Sequence, residues 1–334
     1  MKSQSRKNDK SKNSLLLLPT VADTEKSVST LRSKVTDYLQ LGLEGASNTR
    51  RAYAADLRHY RQWCQTHQER PVPIPTEALC MYLAFAAETD KWATIQRRLS
   101  AVRKLHDLQG VDYPVQDRQV QTVLEGIRRT IGVRQQQSPA FSVDEFREVI
   151  QSLDVTNPQQ LRDKVVLLLG FTGAFRRSEL VALNLEDLLF TSEGAIIRMR
   201  RSKTNQYGDH EEKALFTHAD ADLCPVQTLH HWMAQRPERG PLLVRFRKGS
   251  EPGLVRLTNE RLSDKSVARL VKHYLGEQYS AHSLRASFVT IAKLNGADDL
   301  EVMQQTKHKT SAMIQRYTRV ANVTKFNAGK KLGL

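Results

Sequence analysis

Between residues 30 and 318 the apolar side chains recur at three- and four-residue intervals almost throughout, and one stretch, 195–216, departs from that rule. A chain with this pattern folds mainly as helices, with one small sheet where alternation replaces the helical period. Leu31, Val35, Tyr38 and Leu39 share a helical face, and Gly42 and Gly45 end that helix. Ser47 or Asn48 caps the next, which carries Tyr53, Leu57, Tyr60 and Cys64. The run RPVPIP breaks the chain, and Thr76 is expected to cap a short apolar helix over 77–87. Thr94 opens another, with Ile95, Leu99, Val102 and Leu105 inward and Arg97, Arg98, Arg103 and Lys104 outward. A further helix over 117–130 ends in the basic pair Arg128 and Arg129.

The segment GVRQQQSPAF, 132–141, has the polarity and the proline of a linker. Beyond it Ser142 starts a helix with Glu145 at the capping-box position. An apolar helix from Leu161 to about Thr172 is broken by Gly173 and resumes over 176–183. IIRMR then alternates, a polar turn with Asn205, Gly208 and Asp209 follows, and KALF resumes, which predicts a small antiparallel sheet. After Pro225 helices are expected near 225–235, 263–276, 283–295, 299–306 and 310–318. The expected organisation is a basic tail (1–28), a helical domain (29–132), a linker (133–141) and a second, mixed domain (142–334) that is mostly α.

The formal net charge is +15, with a sequence pI near 9.8. Lysine and arginine gain affinity for nucleic acid by releasing its counterions, so this balance points to a polyanionic partner. Cys64, Cys80 and Cys224 lie far apart with no CxxC, which argues against a zinc site and fits a reducing compartment. Leu15–Leu18 is too short for a signal-peptide core or a membrane span. The chain is therefore read as soluble and cytoplasmic.

Six polar residues in the C-terminal half carry the chemistry: Arg176, Lys203, His282, Arg285, His308 and Tyr317. A guanidinium is a planar fork that pairs with two phosphate oxygens, and two such forks can neutralise a pentavalent phosphorane. His282 and Arg285 are three residues apart and share a helical face. Lys203, at a strand end or turn, can protonate a leaving oxygen, and His282 can take the nucleophile's proton or bind the phosphate. Glu179 can orient the Arg176 guanidinium. A phenol needs nearby cations to become a nucleophile, and Arg316 and Arg319 flank Tyr317. A covalent phosphotyrosine would conserve the bond energy of the cut strand without ATP, and the basic side chains would supply the charge without a metal or other cofactor. There is no P-loop, DDE or HExxH pattern.

These residues, in the words GAFRRSEL, RSKT, HSLR, KHKT and QRYTR, resemble the tyrosine recombinase (phage integrase) family, its Cre-like and Xer-like members in particular. The resemblance covers about residues 30–330 and includes TIQRRLSAVRKLHDLQG, which is similar to a core-binding domain. It implies a C-shaped clamp on double-stranded DNA and homotetramers on two recombination sites. It also implies a 3′-phosphotyrosyl link made by Tyr317, a Holliday junction, Lys203 as general acid, and Arg176, Arg285, His282 and His308 holding the phosphate. The last helix, from about Val320, would dock on a neighbouring protomer. Arg97, Arg98 and Lys265 are the expected DNA contacts. Two departures stand out: Lys307 occupies a position where many relatives have glycine, and Arg177 adds a second charge beside Arg176. A type IB-like topoisomerase, a telomere resolvase and a non-catalytic DNA-binding protein are the competing readings.

Overall fold

A computed structural model describes residue 34 and residues 47–133, 137–199, 211–249 and 255–315. The expected first helix with Leu31 to Leu39, the turn at 205–209 and the terminal helix from Val320 lie outside the described residues. The chain divides into two units, Met1–Gln135 and Gln136–Leu334. Among the described residues, no helix is long and apolar enough to cross a membrane.

The N-terminal unit is helical: α1 (Ser47–Thr66), α2 (Thr76–Ala87), α3 (Trp92–Gln109) and α4 (Arg118–Ile131). Tyr60, Trp63, Leu79, Tyr82, Leu83, Ile95, Val102 and Val120 fill its core. Each such side chain contributes roughly 2 kcal/mol on burial. Two starts differ from expectation. Pro75, not Thr76, is the residue before α2 and makes no side-chain cap. The third helix begins at Trp92, two residues before Thr94, because Trp92 and Leu99 both pack on this core. At the end of α3, Gly110 takes the left-handed conformation (φ 66°) that closes a helix without a Cβ penalty.

The second unit starts with α5 (Val143–Gln151), α6 (Pro158–Thr172) and α7 (Arg177–Ala182). Ser142 accepts from the Glu145 amide, but the Glu145 carboxylate accepts from the Tyr279 hydroxyl (3.1 Å) instead of completing the capping box. Helix α6 is buried on every side from Leu161 to Gly170. Three strands follow, β1 (Leu188–Phe190), β2 (Gly194–Met199) and β3 (Glu211–Phe216), antiparallel in the order β1-β2-β3. The expected hairpin is thus joined by one more strand. Gly194 is required there, since a Cβ would sit 1.9 Å from the Leu215 carbonyl oxygen. After α8 (Pro225–Met233) come β4 (Val244–Lys248) and β5 (Val255–Arg261), a two-stranded sheet that helical periodicity did not predict. In β4, Val244 is buried and Phe246 half-buried while Arg245 and Arg247 are exposed, a period of two. The unit ends in α9 (Asp264–Leu275), α10 (Ala281–Leu294) and α11 (Asp299–Thr306), followed by helical residues 311–315. Helix α6 packs against α8 and α10, and α11 packs against α10 and β3.

Candidate active site

The site is assembled where α6 stops. Gly173 ends the helix and Ala174 takes a left-handed conformation (φ 46°), unusual for a residue with a Cβ. The turn delivers Arg176 to the position just before α7. There Glu179, one turn on, accepts from the Arg176 backbone amide at 2.9 Å and from its guanidinium at 2.5 Å. Arg177 points elsewhere and pairs with Asp264 at 3.0 Å. Geometry thus separates the two adjacent arginines that the sequence left side by side.

Arg285 lies on α10 and is 1% exposed. Its guanidinium donates to the Ala174 carbonyl oxygen at 2.7 Å and to the Thr306 carbonyl oxygen. One side chain therefore ties the turn before Arg176 to the segment that carries His308. Ser280 caps α10, whose first residue is Ala281, so His282 stands in the first turn, exposed, one turn before Arg285. The helix starts two residues earlier than the 283 expected.

His308 is 6% exposed, and its Nδ1 lies 2.9 Å from the Thr306 hydroxyl oxygen. That hydroxyl spends its only proton on the Val302 carbonyl (2.6 Å), so it accepts from Nδ1–H and leaves Nε2 as the unprotonated ring nitrogen. Burial, then the charges of Arg285, Arg176, His282 and Lys213, push the His308 pKa down to about 3. Lys307 precedes it in a left-handed conformation (φ 55°), the backbone shape that explains why glycine suits this position.

A further cation stands inside the site. Lys213, on β3, is 2% exposed, and its ammonium donates to the carbonyl oxygens of Gly173 (2.8 Å) and Ala174 (3.0 Å). It also sits 4.4 Å from the centre of the Phe175 ring. Burial lowers its pKa, Glu179 opposes that, and Arg285, Arg176 and Lys307 lower it further, to about 7. Glu179 is the site's carboxylate. Burial pushes it up, but Arg176 and Lys213 outweigh that and hold it below the usual range. The sequence signal for Lys213 was the strand period: it shares a face with buried Leu215 and stands opposite buried Ile197. KALF was read only as a strand resuming.

The structure thus brings together Arg176, Glu179, Arg285 and His308, with His282 close enough to act on His308 electrostatically. Lys203 and Tyr317 lie outside the described residues. Of the three expected DNA contacts, Lys265 is exposed on the first turn of α9. Arg97 is half-exposed and grips Asp56 with both arms of its fork (2.8 and 2.9 Å). Arg98 faces inward, against the expectation of an outward basic face. Its side chain is 13% exposed, pairs with Asp90 at 3.0 Å and touches His59. Tertiary packing decides this, because Asp56 and Asp90 supply the opposite charge that lets a guanidinium turn inward.

Residues 139–323 match the Phage integrase family, and residues 35–108 match the Phage integrase, N-terminal SAM-like domain. The chain is 36% identical over 293 residues to the integrase/recombinase xerD homolog of Selenomonas ruminantium, across 85% of this chain and 84% of that protein. It is 27% identical over 302 residues to tyrosine recombinase XerC of Syntrophus aciditrophicus (strain SB), across 85% and 91%. In three dimensions it is similar to XerH site-specific recombinase bound to a palindromic difH substrate in a post-cleavage complex. That likeness has a TM-score of 0.63 at 15% identity and covers 84% of this chain and 80% of that one, which bears on the fold. With two matches in chain order and a relative of that identity along most of its length, the chain belongs to the phage integrase family, the tyrosine recombinases.

Proposed function

We propose that this protein recombines DNA site-specifically, cutting and rejoining strands through a covalent link to Tyr317. The observation that carries the reading is a deficit of negative charge. Arg285, Arg176 and Lys307 act on Lys213, with Glu179 the carboxylate that opposes them among the described residues, and both Lys213 and His308 are driven toward their neutral forms by burial and by neighbouring cations. Buried charge of one sign is costly unless an opposite charge arrives. A phosphodiester supplies it, and the two guanidinium forks suit its two non-bridging oxygens.

In this reading the Tyr317 hydroxyl oxygen attacks phosphorus and its proton passes to His282. The P–O5′ bond breaks as Lys203 protonates the departing oxygen, which gives a 3′-phosphotyrosyl link and a free 5′-hydroxyl. Arg176 and Arg285 carry the charge of the phosphorane. His308, with its Nδ1 hydrogen committed to Thr306, meets the phosphate through Nε2, and the arriving negative charge favours its protonation. The liberated hydroxyl of a partner strand reverses the step, and two rounds of exchange pass through a Holliday junction in a tetramer on two sites. Lys265 is assigned to the DNA backbone, and Arg97 contributes from its exposed edge while held by Asp56.

The test uses duplexes recovered by selection from a random library on the intact protein. Incubation should yield a protein–DNA adduct that survives denaturing detergent and is attached through a 3′ end. Tyr317→Phe should bind the same duplexes and give no adduct. An adduct that persists in Tyr317→Phe would overturn the assignment.

A further inference from the structure

Lys213 is not one of the six residues that the family pattern names, yet it is the most deeply buried lysine contact in the site. A methionine would fill the same space without losing a hydration shell, so the ammonium needs a reason. The reason lies in the turn it touches. Helix α6 ends at Thr172, and the Gly173 and Ala174 carbonyls have no place in a helical ladder. Lys213 donates to both, and Arg285 donates to the second. The Ala174 carbonyl oxygen is therefore shared by two cations, one from β3 and one from α10. Ala174 is itself left-handed, a conformation that persists only where its surroundings enforce it. Two residues on, the same turn presents Arg176. Gln305 reinforces the arrangement from α11, donating to the Thr172 carbonyl at 3.0 Å and the Ala214 carbonyl at 2.7 Å.

We propose that Lys213 is a positioning residue: its ammonium locks the Gly173–Ala174 turn and so holds Arg176 and Arg285 at the spacing that one phosphodiester requires. The proposal rests on the strand-exchange reading for its chemistry, but the lock is a property of the free protein. The groups facing Lys213 are Glu179 on α7, Arg176 before it, Arg285 on α10, and Lys307 and His308 after α11. Only Glu179 among them favours the charged ammonium. The lock therefore weakens as pH rises through 7, when the amine loses its charge and holds the two carbonyl oxygens less tightly.

Three proteins decide the matter: wild type, Lys213→Met and Lys213→Arg, on the duplexes recovered by selection. Lys213→Met should bind duplex within about twofold of wild type and form adduct about a hundredfold more slowly, the loss typical of reacting groups displaced by an ångström. Lys213→Arg, with a permanent charge, should recover most of that rate. At subsaturating DNA, where the rate reports ionisations of the free protein, wild type should lose about tenfold relative to Lys213→Arg between pH 6.5 and 8.5. Wild-type rates in Lys213→Met would overturn the proposal. If Lys213→Met fails to fold, the Lys213→Arg profile decides, and parallel pH profiles would overturn it. Arginine Nε–H signals of the free protein give a reading that needs no DNA. Those of Arg176 and Arg285, assigned through their lysine variants, should both move in wild type between pH 6.5 and 8.5 and stay fixed in Lys213→Arg. Signals that stay fixed in wild type sink the lock, whereas a wild type that makes no adduct on any selected duplex sinks the strand-exchange reading alone.

Discussion

Two buried clusters of charge in this protein look alike in sequence and differ in kind. In the N-terminal unit, Arg97 and Arg98 meet Asp56 and Asp90, and burial and Arg98 lower the pKa of the neighbouring His59. Positive and negative groups are matched in number, two arginines to two aspartates. In the second unit, Lys213 faces Arg176, Arg285 and Lys307, and among the described residues Glu179 is the carboxylate set against them. Balance marks an ion-pair network that serves the fold, and imbalance marks a place where a ligand completes the charge. Adjacent arginines, RR at 97–98 and RR at 176–177, announce neither case by themselves.

The sharpest way to break this contrast is Arg285→Gln. It removes the fork proposed to hold the phosphate and the tie between the Ala174 and Thr306 carbonyls, so adduct formation should fall at least about a thousandfold. Retained activity would show that the unbalanced cluster is not the site. Its counterpart is Asp56→Ala, which takes the carboxylate from Arg97, leaves Arg98 with Asp90, and should cost about 2 kcal/mol in urea denaturation followed by tryptophan fluorescence. Cleavage per folded molecule at saturating DNA should be unchanged, since Asp56 reaches the DNA only through its hold on Arg97.

Smaller effects sharpen the comparison. The folded His308 ring resists protonation down to about pH 3, while the unfolded one accepts a proton near 6.5. The unfolded chain thus binds more protons between these values, and stability should fall as pH drops through that window, by at most about 1.4 kcal/mol per pH unit from this group. His308→Asn should flatten the dependence in thermal melts between pH 6.5 and 4.5. Smallest is Lys307→Gly. It relieves a left-handed residue and should raise stability by about 1 kcal/mol, measured in the same urea titration. It also removes a cation that disfavours the charged Lys213, so the pH limb assigned to that amine should move upward.

How far the sequence foretold this molecule can be judged residue by residue. Arg176, Glu179, Arg285 and His308 were legible because each sits in a short word whose spacing fixes a helical turn, and the fold brings those words together as the ordered set implied. Helix α4 was legible because Asp117 caps it and its apolar stripe is regular. Lys213 was not legible as a site residue, since a lysine in an alternating strand is ordinarily the exposed partner. Here Lys213 is buried and Phe216 is 65% exposed, so strand register, a tertiary property, overrode side-chain preference. Arg98 misled for the same reason, as neighbouring elements supply the aspartates that draw it inward. The β4–β5 ribbon escaped notice because its outward arginines interrupt any run of apolar residues.

The approach to α5 has a practical consequence for dissecting the protein. Phe141 is buried against Phe146, its amide donates to the Ser287 hydroxyl on α10, and Ser138 lies 3.1 Å from Ser280 at that helix's cap. The polar segment expected to be a linker thus ends as part of the second unit's interior, pinned to the helix that carries Arg285. A fragment begun at the first residue of α5 would lose an aromatic plug and leave Ser287 without its donor. One begun at residue 137 keeps both, and is the shorter piece to choose for studying the cluster around Arg285 by itself.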